Sequence, residues 1–175
     1  LITPPSMPMT NPVSELLFTT NALLSPPLDS SSAHIPPSLR RQAQQFASRP
    51  QSFWYDHPVP LDASPAENEI LYGLSKLDEA LAQEVAMGSL TPGARIDLAM
   101  SISVTHEGME DLAFRYVSDL IANHLKLRHL RVLLFDETRC RQIVEQLCPS
   151  DAFAAEVFGV NGAYGRHYSF LKAVL

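Results

Sequence analysis

Two short acidic turns have the residue types and positions that a nucleotide site requires. Thr105, His106 and Glu107 follow an apolar stretch that starts at Ile96, and Asp136 follows the apolar run 130–135. A carboxylate accepts hydrogen bonds only, so it suits the hydroxyls of a ribose or the N–H groups of a base. Each acid also has a structural alternative: Glu107 can complement the positive end of the following helix, and Asp136 can cap a helix that starts near Thr138.

The elements that carry these turns can be predicted from hydrophobic periodicity. Apolar residues alternate with small or polar ones over 96–105, which indicates a strand. A stripe at three-and-four spacing then predicts a helix over about 109–121, and the run 130–135 is typical of a buried strand. This strand–helix–strand unit predicts an α/β fold with a parallel-centred, Rossmann-like sheet and flanking helices. Ligands of such sheets bind outside the carboxyl ends of the strands, where Glu107 and Asp136 are expected.

A third candidate lies near the end of the chain. Three glycines fall between Gly159 and Gly165, and Arg166 and His167 follow them at the start of a predicted helix. Free backbone N–H groups and an arginine make such a turn favourable for phosphate. The alternative is an ordinary surface arginine.

Several other site classes are excluded by the motifs themselves. The turn after 104 has a single glycine, Gly108, whereas the dinucleotide fingerprint needs three. The sequence also lacks a G-K-S or G-K-T phosphate loop, a G-x-S-x-G nucleophile turn and an H-E-x-x-H metal pattern.

Composition narrows the class of partner. The chain has 175 residues and a net charge of -6, which argues against a nucleic-acid partner. Cys140 and Cys148 are expected on one helix about 12 Å apart, too far for a disulfide, which favours reduced thiols and a cytoplasmic location. No apolar run approaches the ~20 residues of a membrane span.

Proline divides the chain, because 12 of the 14 prolines lie at or before Pro65. We therefore expect residues 1–50 to be a proline-rich arm or linker, whose apolar patches 16–18 and 23–24 dock on the folded body or on a partner. Residues 51–95 are expected to hold an aromatic segment at Trp54 and Tyr55, followed by a capping helix from about Pro65 to Met87. Ser64 is the predicted N-cap of that helix, and Gly88 its stop. Residues 96–175 are expected to form the nucleotide-binding part, and we expect it to continue beyond the last residue.

Taken together, the three turns resemble the first half of a GT-A glycosyltransferase, an inverting enzyme that uses a nucleotide-diphospho-sugar. S-V-T-H-E-G is similar to the opening turn of that family, L-L-F-D-E-T to its second strand end, and N-G-A-Y-G-R-H-Y to a later loop. The resemblance implies a GT-A-like sheet in which Thr105, Glu107 and Asp136 bind the nucleotide and Arg166 and His167 bind the diphosphate. It also implies a divalent metal (Mn or Mg) and an unknown acceptor. The family's metal motif, D-x-D, does not occur here.

Two other functions fit the same residues. The α/β body can be a non-catalytic interaction or regulatory module that binds a protein partner through the N-terminal arm. It can also be another nucleotide-using α/β enzyme, because acids at strand ends are common to many of them.

Overall fold

The computed structural model describes residues 11–29, 31–53, 57–149 and 159–160. The helices are α1 (Pro12–Glu15), α2 (Pro37–Ala47), α3 (Glu69–Ala86), α4 (Glu110–His124) and α5 (Glu137–Leu147). The strands are β1 (Leu17–Ser25), β2 (Val59–Pro60), β3 (Ile96–Val104) and β4 (Leu130–Asp136).

The described strands form one parallel sheet in the order β2-β1-β3-β4. The long pairing joins β1 to β3, from Leu17 opposite Asp97 to Leu24 opposite Val104. The predicted α/β fold, with a parallel sheet and flanking helices, is confirmed. The chain moves from β1 to β2 in one direction and returns past β1 to β3 in the other. The topological switch point therefore lies between β1 and β3.

The prediction of an arm over residues 1–50 is wrong for two described segments. Leu17–Ser25 is a strand that pairs with β3 along its length and with β2 at its end, and Pro37–Ala47 is a helix. The prolines misled the prediction because Pro37 occupies the first turn of α2, where its missing N–H costs nothing. The alternative that apolar residues of 16–18 and 23–24 dock on the folded body holds for Phe18, Leu23 and Leu24, whereas Leu16 and Leu17 are exposed. Residues 1–10 lie outside the described part.

One hydrophobic cluster joins a face of the sheet to three helices. Alternate residues of β1 and β3 point into it, because side chains along a strand alternate between faces. Its buried members from the strands include Ala22, Leu24, Leu98, Met100, Ile102 and Val104, and those from α2, α3 and α4 include Leu39, Phe46, Leu74, Leu112, Tyr116 and Val117. The apolar stripe predicted for the helix over about 109–121 is thus confirmed as the buried side of α4.

The capping helix begins later than predicted. Asn68 is the N-cap of α3, and its side-chain oxygen accepts from the N–H groups of Ile70 and Leu71 at 3.1 and 3.3 Å. Ser64 instead donates to the Glu67 carboxylate in the turn before the helix. Asn68 takes the position because its buried amide also donates to the hydroxyl of Tyr116 on α4. The sequence pattern of a capping box contains no information on that tertiary contact.

The other end of α3 follows the prediction. Gly88 has a φ of 81°, the left-handed conformation that favours glycine. Its N–H donates to the carbonyl of Val85, and the N–H of Ser89 donates to that of Glu84, which is a Schellman motif. Trp54 and Tyr55 lie outside the described residues.

Among the described residues, no helix is long and apolar enough to cross a membrane. Cys140 and Cys148 are both free thiols, the first buried and the second exposed.

Asp78 joins α3 to the start of β4. Its carboxylate accepts hydrogen bonds from the backbone N–H groups of Arg128, His129 and Leu130 at 2.7 to 3.1 Å. Hydrogen bonds to an ionised acceptor are stronger than neutral ones, so this contact fixes the helix against the strand.

We predict that Asp78→Ala lowers the free energy of unfolding by about 2–4 kcal/mol, because it removes the acceptor of three backbone donors. Urea denaturation of the full chain measures the change. Glu79→Ala is the matched control, since Glu79 is exposed and pairs only with surface groups. It should cost less than about 1 kcal/mol. Equal losses for the two variants would refute the structural role of Asp78.

A second prediction concerns Tyr116, whose hydroxyl accepts from the Asn68 amide at 3.2 Å. Burial raises the pKa of Tyr116 from 10.0 to about 12. The folded state therefore favours the neutral phenol, so this stability is full below the unfolded pKa and is lost as the pH rises towards the folded pKa. We expect Tyr116→Phe to flatten the fall in stability above about pH 10.

The measurement is urea denaturation from about pH 8 to about pH 11 for the wild type and the variant. Tyr72→Phe is the control, since Tyr72 is exposed on α3, the helix that Asn68 caps. At neutral pH the Tyr116 variant should lose about 1 kcal/mol, because the Asn68 amide loses its acceptor. An unchanged alkaline slope would show that Tyr116 does not contribute to it.

Candidate functional site

The turn after β3 lies at the carboxyl edge of the sheet and is tied to β1. Thr105 is fully buried, and its hydroxyl donates to the Leu24 carbonyl at 3.3 Å and lies 2.8 Å from Nδ1 of His106. Glu107 is exposed, and Gly108 takes a φ of 84° to turn the chain into α4. Of the two predicted ligand residues in this turn, only Glu107 has a side chain open to solvent.

The segment before β2 covers the end of β3. The N–H groups of Ser52 and Phe53 both donate to the Thr105 carbonyl, at 2.9 and 3.0 Å. The hydroxyl of Ser52 accepts from the N–H of Glu107 at 3.2 Å. Ser52 therefore lies next to Glu107. No motif in the sequence points to Ser52, because it is brought there by the tertiary fold.

Arg49 supplies a cation at the same turn, and the sequence had not indicated this residue. Its guanidinium stacks over the ring of Phe46, 4.7 Å from the centroid. A Cβ built on Gly108 would lie 4.0 Å from Nη1 of Arg49. The exposed carboxylate of Glu107 and the exposed guanidinium of Arg49 are thus both found at this turn. The signal available in the sequence was only an arginine after a helix, which is common.

His106 is buried beside these groups. Burial lowers its pKa, and a hydrogen bond to the backbone of Arg49 opposes that shift. The imidazole is therefore neutral at neutral pH, where it supports the turn rather than supplying a charge. Since its folded pKa is lowered, the stability that it contributes is lost as the pH falls.

Asp136 ends β4, next to the end of β3 as predicted, but its carboxylate has protein partners. It caps α5 by accepting from the N–H of Arg139 at 2.9 Å, and it forms an ion pair with the guanidinium of that residue at 2.9 Å. The residue is 1% exposed. Of the two alternatives given for Asp136, the structure shows the helix cap.

A second pair of acids lies between the first turns of α4 and α5. Glu137 is buried, and its carboxylate accepts from Arg141 and from the N–H of Val160. Burial raises the pKa of Glu110, and the charge of Glu137 raises it further. Gly159 fits closely here, because a Cβ on it would lie 2.6 Å from a Glu137 oxygen. The carboxyl edge of the sheet is therefore rich in acids.

Arg166 and His167, predicted to bind the diphosphate, lie outside the described residues. Within the described ranges, no group of three His, Cys, Asp or Glu side chains could hold a metal ion. The described residues therefore do not fit the divalent metal that the family resemblance implies.

Comparison of the chain with family models, with curated proteins and with solved structures gave no match.

If Asp136 is a helix cap, its two simplest substitutions should differ. We predict that Asp136→Ala lowers the free energy of unfolding by about 1–2 kcal/mol, because the N–H of Arg139 loses its acceptor. Asp136→Asn keeps that acceptor and should cost clearly less, since asparagine is an equally good N-cap. Urea denaturation of both variants measures the difference. Unchanged stability in both would show that the carboxylate is not needed for the fold and would favour a ligand role.

Proposed function

We propose that the protein binds a nucleotide-diphospho-sugar donor at the carboxyl edge of its sheet and transfers the sugar to an acceptor. The observation that carries the proposal is the pair of exposed, oppositely charged groups, Glu107 and Arg49, at the turn beside the switch point between β1 and β3. Parallel α/β sheets bind nucleotides at this position. A carboxylate suits the base or the ribose of a nucleotide diphosphate, and a guanidinium suits its diphosphate.

In this proposal Glu107 accepts hydrogen bonds from the base or the ribose, and Arg49 approaches the diphosphate. Thr105 and Asp136 act by positioning. Thr105 anchors the turn to β1 through the Leu24 carbonyl, and Asp136 fixes the start of α5. The residues that the sequence assigned to nucleotide binding are thus divided by their burial. An exposed carboxylate can reach a ligand, whereas a buried and paired one holds the fold.

Charge is the main constraint on this site. A nucleotide diphosphate is anionic, while Glu107, Glu110 and Glu137 lie at the same edge of the sheet. Arg49 supplies a cation, and by family resemblance Arg166 and His167 supply further contacts to the diphosphate.

A second candidate function is a non-catalytic interaction module. The specific observation in its favour is that Thr105 and Asp136 are buried and paired within the protein, so that two of the three predicted nucleotide contacts are engaged. In this case the acids of the carboxyl edge would serve the fold alone. The nucleotide titration below separates the two functions.

The test is calorimetric titration of the full chain with uridine diphosphate and guanosine diphosphate, with and without manganese. We expect one nucleotide to bind, and we expect Glu107→Gln and Arg49→Gln each to weaken it about tenfold through the loss of one charged contact. The matched controls are Glu145→Gln and Arg128→Gln, which remove the same charges from exposed positions on α5 and before β4.

The controls should bind like the wild type. If neither nucleotide binds under either condition, the proposal of a transferase fails and the interaction module is favoured. If binding occurs but all four variants bind equally, the site is not at this turn.

A further inference from the structure

Within the described part of the chain, one edge of the sheet is only partly covered. β2 pairs with β1 at Leu24 and Ser25, and no described strand pairs with the preceding residues of β1 on that side. The open edge runs from Leu17 to Leu23 and is roughly 20 Å long at the usual rise of a strand.

The direction of the backbone groups along β1 follows from the contacts of its two ends. The Leu24 carbonyl accepts from the N–H of Thr105, and the Ser25 carbonyl accepts from that of Leu61, so adjacent residues face opposite neighbours. Thr20 faces β3 like Leu24, because its carbonyl accepts a hydrogen bond from the side-chain hydroxyl of Ser101 on β3. By the same alternation the backbone groups of Thr19 and Asn21 face the open edge.

A cavity of about 610 Å³ lies along this edge, which we name the β1 slot. One wall is the apolar face of α3, and β3 contributes to the inner surface. The short strand β2 and His57 close one end. Besides residues 18–23 of β1, the lining includes Ile70, Gly73, Leu74 and Leu77 of α3, Leu98 and Met100 of β3, and His57, Val59 and Glu69.

Among the described residues, the open edge lacks the features that keep isolated edge strands from pairing. The strand L-F-T-T-N-A-L-L-S contains no charge and no proline. Natural proteins protect exposed edges with lysine, proline, bulges or a cover. Asn21 is also held rigidly, because its side-chain oxygen accepts from the hydroxyls of Ser101 and Ser103 at 2.8 and 3.1 Å. The edge is therefore ordered, uncharged and ready to pair.

The geometry points to a docking site for an extended peptide segment of a protein partner, which adds to β1 as a further strand in the β1 slot. Backbone groups of the peptide pair with those of Thr19 and Asn21. An apolar side chain enters between β1 and α3. Glu69 is the only carboxylate among the described lining residues, so a lysine or arginine of the peptide lies near it.

A second copy of this chain fits the slot less well than a peptide. Antiparallel pairing of two β1 edges would place β2 of one copy beyond the start of β1 of the other, where α1 and Leu16 lie. A peptide carries no such neighbouring strand. The slot is separate from the proposed nucleotide site, since Glu107 does not line it.

His57 is a further sign of function at the end of the slot. Its φ is 55°, which is uncommon for a residue with a side chain. Strained backbone of this kind clusters at ligand-binding sites. His57 also lines the slot, so it lies where the end of a docked peptide would be.

The probe is the synthetic heptapeptide Lys-Thr-Val-Thr-Leu-Thr-Val, titrated into the full chain by fluorescence anisotropy. Two N-methylated variants of this peptide are compared with it: the first is methylated on every other amide, and the second on the remaining amides. Since alternate amides of a strand face opposite sides, we expect one variant to bind like the parent peptide and the other to lose at least tenfold in affinity. Equal binding of the two variants, or no binding of the parent peptide, would overturn the inference.

Variants of the protein test the same geometry. Thr19→Pro removes an N–H from the open edge without removing a bond to β3, and proline is tolerated at such positions. Gly73→Met places a side chain in the slot, since nothing lies within 4 Å of a Cβ at Gly73. Both variants should fold but no longer bind the peptide, while Gly73→Ala should still bind it.

Two further outcomes decide against a peptide partner. If light scattering shows a dimer that Thr19→Pro converts to a monomer, the occupant is a second copy. If the peptide binds only after residues 1–10 or 161–175 are deleted, the occupant is a segment of the chain itself. Unchanged peptide affinity in Gly73→Met would show that binding occurs outside the slot. Nucleotide titration of the same variants should be unaffected, so this test and that of the nucleotide site can fail separately.

Discussion

The parallel pairing of β1 with β3 determines the rest of the structure. It places β1 between β2 and β3, joins residues 80 positions apart, and creates the reversal of strand order at the carboxyl edge. It also buries Ser101 and Ser103, whose hydroxyls are satisfied by Asn21 across the two strands. Buried polar groups are costly unless they are paired, so the amide of Asn21 helps to select this register. Without the pairing there would be neither a switch point nor a sheet edge beside α3.

Burial divides the acids of the carboxyl edge into two kinds. Asp136 pairs with Arg139, and Glu137 accepts from Arg141 and from the N–H of Val160. The role of both acids in the structure is to hold that edge together. Glu107 is exposed on a turn that is held by the hydrogen bonds of Thr105 to β1 and of Ser52 to the turn itself. A ligand would therefore meet a rigid turn with an exposed acid and with Arg49 nearby. The positions of both exposed groups depend on contacts that join segments far apart in the chain.

The sequence predicted the part of the fold whose pattern is local. Periodicity located β3, α4 and β4, and Gly88 marked the end of α3, because these signals depend on neighbouring residues alone. β1 was missed because its strand character is decided by pairing with β3, while the prolines around it suggested an arm. The N-cap of α3 was misplaced for a similar reason, since the contact of Asn68 with Tyr116 lies outside any local motif. At the site, the sequence located Glu107 and the strand end at Asp136. Arg49, Ser52 and the pair of Glu110 with Glu137 are brought together only by tertiary packing.

Hydrogen exchange of the β1 amides tests most directly whether this strand lies inside the sheet with one open edge. Exchange should alternate along β1: the N–H groups of Phe18, Thr20 and Ala22, which face β3, should exchange slowly, and those of Thr19 and Asn21 should exchange quickly. Nuclear magnetic resonance of the full chain resolves these amides one by one. Uniformly fast exchange would contradict the account, because it would mean that residues 17–25 form an arm rather than a strand. Uniformly slow exchange would show that the edge is already covered.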